Sequence, residues 1–298
     1  MYNSQSTVEM KDGDPFLFWN PLAEKAAIVC LSEKAGSTTW KLALLQVHGP
    51  YSVFDSSPHT AKRPKPPKDC PLWAGPSPRS YALVRNPYSR LLSGYLHLVA
   101  RDYVGNNDDR AGSGDDAESF GAFVANATRK KGTSFEAPAH SRHFEPLTRK
   151  CGFGTTRPRS YDRVLRVEQI ADWYDGFVCD LGLEAVVATG WNRTGTWFTG
   201  TAPCFYSPPG LDCEGRATTD GGHAAPASFH ATRADARLGE FYGPGVAGLV
   251  TTAFRDDLAR FAYPAWDGRD GAAYLARVRG LPPLEAWRRG KVKKKRPP

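Results

Sequence analysis

No stretch of this 298-residue chain reaches the run of about 20 apolar residues that a membrane-spanning helix needs. No Gly-x-x-x-x-Gly-Lys-Ser/Thr order occurs, so the Walker A way of cradling a triphosphate is excluded. No Cys-x-x-Cys pair or histidine cluster marks a zinc site. No internal repeat is present, and no signal-peptide pattern stands at Met1. A large excess of charge is also missing. The net charge is +8, and five of those charges sit in the tail at Lys291, Lys293, Lys294, Lys295 and Arg296. The remainder is only mildly basic, which suits an anionic small molecule and does not call for nucleic acid. Hydrophobic residues make up 41% of the chain, enough for a folded core.

Two short segments carry most of the chemistry. The first is Ala26-Ala-Ile-Val-Cys-Leu-Ser-Glu-Lys34-Ala35-Gly36-Ser37-Thr38-Thr39-Trp40. Its apolar run reads as a buried strand, and from Thr38 the pattern turns helical. A helix start leaves backbone N–H groups unpaired at the positive end of the helix dipole, which attracts phosphate. Gly36 permits close approach, Ser37, Thr38 and Thr39 add hydroxyls, and Lys34 adds a full charge. An ordinary helix capped by Ser or Thr is the competing reading. The second segment is Tyr81-Ala-Leu-Val-Arg85-Asn-Pro87-Tyr-Ser-Arg90-Leu-Leu-Ser93-Gly-Tyr95. It is again strand, turn and helix, with Pro87 suited to a first helical turn. Arg85 suits bidentate contact with phosphate. Two such elements in this order suggest a nucleotide with phosphates at both ends.

Together the segments resemble the two nucleotide-binding signatures of sulfotransferases that use 3′-phosphoadenosine-5′-phosphosulfate (PAPS). The Lys34 loop resembles the 5′-phosphosulfate loop, and Arg85 through Tyr95 matches the Arg-x-Pro-x-x-Arg-x-x-Ser-x-Tyr form of the 3′-phosphate motif. Further on, His143-Phe-Glu-Pro146 with Cys151 resembles the His-Trp-x-Pro…Cys pattern of Golgi carbohydrate sulfotransferases. That group includes chondroitin and dermatan enzymes, with heparan 2-O-sulfotransferases as relatives. Tyr161-Asp162 with Val167-Glu168, and Phe254 through Tyr263, resemble the following strand and closing helix of the same group.

The resemblance implies transfer of a sulfuryl group from PAPS to a hydroxyl of a glycan or other acceptor, with no metal and no nucleic acid. Lys34 would neutralise charge on the leaving nucleotide, residues Ala35 to Thr39 would hold the 5′-phosphate, and Arg85 and Ser93 the 3′-phosphate. In the heparan 2-O relatives the base is a histidine between the two motifs. His48 and His59 lie there in this chain, and His59 is favoured; Asp55, Asp69, His140 and His143 remain candidates. The resemblance also implies the Golgi lumen, with membrane attachment only through an anchor not seen in this sequence. Sequons at Asn126 and Asn192 and an even count of six cysteines agree with that compartment. Cys204 and Cys213 flank a Pro/Gly-rich loop that a disulfide would close, whereas Cys30, inside a strand, reads as a buried thiol. Transfer to a small molecule or protein tyrosine is the nearest alternative; a nucleoside-triphosphate kinase and a non-catalytic glycan-binding protein are further ones.

Strands alternating with helices predict an α/β fold, a mostly parallel P-loop-like sheet flanked by helices on both faces. The expected organisation is a variable lead-in over 1–24, one domain over 25–268 with long irregular insertions, and a C-terminal helix and basic tail over 269–298. Residues 50–79, with eight prolines, read as an irregular crossover whose Lys62, Arg63, Lys65 and Lys68 are available to an acidic sugar. Tyr161 to Val167 reads as a third strand, Gln169 to Leu181 as a helix, and Val246 to Phe261 as one amphipathic helix.

Overall fold

Continuous apolar runs in the strands call for a sheet covered on both sides. A computed structural model of the chain describes residues 7–9, 11, 13–47, 62–64, 78–99, 116–129, 143–154, 159–188 and 234–284. Its strands are β1 (Thr7–Glu9), β2 (Phe16–Asn20), β3 (Lys25–Leu31), β4 (Lys62–Pro64), β5 (Arg79–Val84) and β6 (Arg163–Arg166). The main sheet has the order β2-β3-β5-β6. β3, β5 and β6 pair in parallel, with Val29 opposite Tyr81 and Tyr81 opposite Arg163. β2 is an antiparallel edge strand formed within the lead-in, with Phe16 opposite Val29. The basic crossover contributes β4, which pairs with β1 as a separate antiparallel ribbon.

The helices are α1 (Ser37–Gln46), α2 (Pro87–Gly94), α3 (Ala117–Arg129), α4 (Ile170–Leu181), α5 (Glu184–Ala188), α6 (Leu238–Phe241), α7 (Pro244–Ala253), α8 (Arg255–Arg260) and α9 (Gly271–Arg279). Val29, Leu31, Tyr81, Leu83 and Leu165 share one core with Trp40 of α1 and Trp173 and Phe177 of α4. The Trp40 and Phe177 rings meet edge to face at 4.9 Å. Cys30, Ala82, Val84 and Val164 point the opposite way, into a second core with α2, α3, α7 and α9. A parallel sheet buried on both faces explains why these strands read as continuous apolar runs.

Two expectations are corrected. The single helix expected over 246–261 is two, α7 and α8, which meet at Phe254 (φ −111°, ψ 21°). Periodicity alone runs through the break; tertiary contacts fix it. The Arg90 guanidinium lies over the Phe254 ring at 5.7 Å, and both Asp257 oxygens accept N–H groups, from Leu147 at 2.7 Å and Thr148 at 2.8 Å. Cys30 is not a thiol but is bonded to Cys151, with their Cα atoms 5.7 Å apart. The partner was hidden by 121 residues of separation. Gly13 brings the two together: its N–H donates to Leu31 O at 2.9 Å, and its carbonyl accepts from Cys151 N at 2.6 Å. His48, Asp55, His59, Lys65, Lys68, Asp69, His140, Asn192, Cys204 and Cys213 lie outside the described residues.

Candidate active site

The turn from β3 into α1 is built to leave the helix mouth open. Ser32 Oγ donates to Leu83 O at 2.9 Å, tying the loop to the neighbouring strand. Ala35 N–H donates back to Ser32 O at 3.2 Å. Lys34 and Gly36 both take left-handed backbone, with φ of 63° and 78°. For Gly36 that costs little; for Lys34 it is a strained conformation that the surrounding contacts must hold. Gly36 occupies the cap position of α1, and no side chain caps this helix. The Ser/Thr-capped helix is therefore not what forms: the cap residue is a glycine with no side chain to accept, and the first-turn N–H groups make the positive end of the helix dipole.

The second strand-to-helix turn differs. Asn86 Oδ1 accepts from Tyr88 N–H at 3.0 Å and Ser89 N–H at 3.3 Å, and Pro87 has no N–H to offer. The start of α2 is thus closed, and any anion binding here falls to side chains. Arg85 follows directly on β5. Its guanidinium donates from Nη1 to Lys34 O at 2.9 Å and from Nη2 to Asp235 Oδ1 at 2.8 Å. Its buried Nε has no partner among the described residues. Burial works against the charge, yet the Asp235 carboxylate beside it holds the Arg85 pKa above its ordinary value.

Two carboxylates border this arginine, and the sequence motifs single out neither as a ligand. Asp235 lies in the turn before α6, and its own pKa is lowered: the pull of Arg85 outweighs desolvation. Glu168 accepts from Asn86 N–H at 2.7 Å and from the Tyr263 hydroxyl at 3.0 Å. Desolvation and then repulsion from Asp235 push its carboxyl up to about 7, against the pull of Arg85. Glu168 and the closing Tyr263 thus meet at the Arg85 turn, though they are distant in sequence, while Asp162 instead accepts from Ser80 N–H and Oγ at the start of β5.

Sequence reading also passes over His97. α2 continues into a π-helical turn over Tyr95–Val99, and within it His97 places Nδ1 2.6 Å from Lys34 Nζ. The available signal was position: His97 follows Ser93 by four residues, and Ser93 is buried on α2.

Behind the loop lies a buried ionic layer. Lys150 Nζ pairs with Glu33 at 2.6 Å, one residue before Lys34. Desolvation lowers the Lys150 pKa in spite of Glu33. Arg90 is fully buried and donates from Nη1 to the His143 carbonyl at 3.1 Å and from Nη2 to the Glu145 carbonyl. The His143-Phe-Glu-Pro146 stretch thus serves Arg90 through its backbone. Its Phe144 packs on Gly94: a Cβ there would lie 2.7 Å from Phe144 Cε1. Lys34, Arg85 and the α1 mouth are brought together, and Ser93 lies on α2, which the π-helical turn carrying His97 extends. His59 is outside the described residues, as is the Thr39 side chain. Among the described residues no group of three or more His, Cys, Asp and Glu is placed to hold a metal ion.

In comparison with known proteins, a family model described as "Sulfotransferase family" matches residues 24–185, more than half the chain. That span contains both strand-turn-helix elements, Cys151 and Glu168. No curated protein matches, and no solved structure matches.

Proposed function

The chain belongs to the sulfotransferase family, whose members transfer sulfuryl groups, and from that premise we propose that it uses PAPS to sulfate a hydroxyl of a carbohydrate acceptor. The observation that carries the proposal is the meeting of the two motifs: the uncapped α1 mouth, Lys34 beside it, and Arg85 bonded to the Lys34 carbonyl. A nucleotide with phosphates at both ends needs an anion seat at each. The start of α1, whose cap residue is Gly36, fits the 5′ end, and Arg85, whose buried Nε–H has no partner among the described residues, fits the 3′ end.

The proposed reaction is an in-line displacement at sulfur. The acceptor oxygen bonds to sulfur as the bond from sulfur to the bridging oxygen breaks. That electron pair stays on the 5′-phosphate, giving adenosine 3′,5′-bisphosphate. Lys34 neutralises the charge that grows on the bridging oxygen, and the α1 N–H groups hold the phosphate. The acceptor proton goes to a base, for which His59 is our candidate. Much of the rate comes from alignment, which a loop fixed at several points supplies.

A carbohydrate acceptor is supported by the way the matched residues interlock. Cys151, Asp257 and Tyr263 each make a buried link, to Cys30, to the Leu147 and Thr148 amides, and to Glu168. The same proposal places the protein in an oxidising lumen, the Golgi by family resemblance. The Cys30–Cys151 bond and the exposed Asn126 of the first sequon support this.

The test is a thermal-shift titration with adenosine 3′,5′-bisphosphate against ATP, on wild type and Arg85→Ala. At 100 times its dissociation constant a ligand stabilises the fold by about 2.7 kcal/mol. Stabilisation by the bisphosphate alone, lost in the variant, is the expected result. An equal shift with ATP, or none with the bisphosphate, would overturn the reading.

A further inference from the structure

We propose that His97 is a positioning residue for Lys34, holding its ammonium at the mouth of α1 for the sulfuryl transfer. The inference rests on the sulfotransferase reading of Lys34 given above and names a residue that reading does not contain. Three observations carry it. Lys34 Nζ lies 2.6 Å from His97 Nδ1. An ammonium has no lone pair, so it donates and the imidazole Nδ1 accepts, which leaves the ring proton on Nε2. Second, His97 sits in the π-helical turn that extends α2. Such wide turns are uncommon, occur often at functional sites, and re-aim the side chains they carry. Third, Lys34 is held at its other end as well: its backbone is left-handed at φ 63°, and its carbonyl accepts from Arg85 at 2.9 Å.

These two contacts reach Lys34 from the second strand-turn-helix element, Arg85 from the end of its strand and His97 from the π-helical turn that extends its helix. A free lysine side chain explores many rotamers, and fixing it loses that entropy. A neutral imidazole acceptor removes part of that freedom before substrate arrives without cancelling the charge, as a carboxylate would. An ammonium carries three N–H donors, and the contact with His97 uses one of them. His97 thus acts through Lys34 rather than on the reacting atoms.

The experiment uses the full chain and follows release of adenosine 3′,5′-bisphosphate from PAPS, with water or a desulfated chondroitin probe as acceptor. It compares wild type, His97→Ala, His97→Asn and Lys34→Met. Asparagine can place its Oδ1 near where the imidazole Nδ1 lies, so it restores an acceptor without a base. The expected result is a kcat about 20-fold lower in His97→Ala with KM for PAPS changed less than about threefold, and recovery to within about fivefold in His97→Asn. In parallel, imidazole ¹⁵N spectra should show Nδ1 unprotonated in wild type, with its shift moved in Lys34→Met. An unchanged kcat in His97→Ala, with Lys34→Met inactive, overturns the role of His97 and leaves the sulfotransferase reading standing. His97→Asn as slow as His97→Ala, with bisphosphate binding intact, overturns it too, in favour of His97 as a base. Lys34→Met as fast as wild type overturns the reading of Lys34 itself.

Discussion

The Arg85 guanidinium donates to the Lys34 carbonyl at 2.9 Å and so joins the two strand-turn-helix elements across the parallel pair β3 and β5. A planar fork can bond a carbonyl with one nitrogen and an anion with another; a lysine ammonium in its place is a single point. Arg85→Lys should therefore keep the charge and still weaken bisphosphate binding by about tenfold or more, roughly 1.4 kcal/mol. Calorimetric titration of the variant checks this. Affinity within twofold of wild type would mean that only charge matters at this position.

Asp235 occupies the other half of the same fork, at 2.8 Å from Nη2. A 3′-phosphate arriving at Arg85 meets a carboxylate already seated there, and either displaces it or binds against its repulsion. Asp235→Asn should thus bind the bisphosphate about 3–10-fold more tightly, while the unliganded protein loses about 1 kcal/mol as the ion pair goes. The pair is partly exposed, with 35% of the Asp235 side chain accessible, which keeps that loss modest. Affinity and melting temperature moving in opposite directions is the result to look for; a parallel fall would make Asp235 a simple structural partner.

Glu168 makes stability depend on pH in an unusual direction. Its carboxyl is pushed up to about 7 in the folded protein, from an ordinary value of 4.5, by desolvation first and Asp235 second. Between those values the folded state binds more protons than the unfolded one, so this group's contribution to stability falls as pH rises from about 4.5 to 7. Other groups titrate in the same range, so the clean readout is a difference. Urea unfolding of wild type and Glu168→Gln across pH 4.5–8 should show the two curves separating, with the variant gaining relative stability toward high pH. Parallel curves would show that Glu168 ionises freely.

What the sequence discloses follows from how local each signal is. β3, β5, β6, α1, α2 and α4 each bury a continuous or periodic apolar set, and their residues announce it. The Lys34 loop and Arg85 were legible for the same reason: strand end, turn and helix start are adjacent in the chain. His97 was not, because its meaning depends on a π-helical turn that no residue pattern marks. Asp235 and Glu168 were not read as neighbours of Arg85, because they lie 150 and 83 positions away and only the packed sheet brings them to one arginine. The partners of Arg85 were not legible either: Asn86 satisfies the start of α2, and the guanidinium goes to the Lys34 carbonyl and Asp235, both distant in sequence.

The Cys30–Cys151 bond sets a last expectation, for redox conditions. It spans 121 residues, and cross-links of about that span restrict the unfolded chain enough to contribute roughly 4–5 kcal/mol on the chain-entropy account, with measured values often nearer 2–4. Cys151 follows Lys150, whose ammonium is buried against Glu33 immediately before Lys34. Loss of the bond therefore loosens the wall of the candidate site as well as the fold. The double variant Cys30→Ala/Cys151→Ala should melt about 5–15 °C below wild type, taking roughly 2–4 °C per kcal/mol for a domain of this size. Wild type in strong reductant should fall toward the variant, and the variant itself should be indifferent to reductant. If instead wild type melts at the same temperature in both conditions, with the thiols shown to be free by alkylation, the bond contributes nothing to stability and its case for an oxidising compartment falls with it.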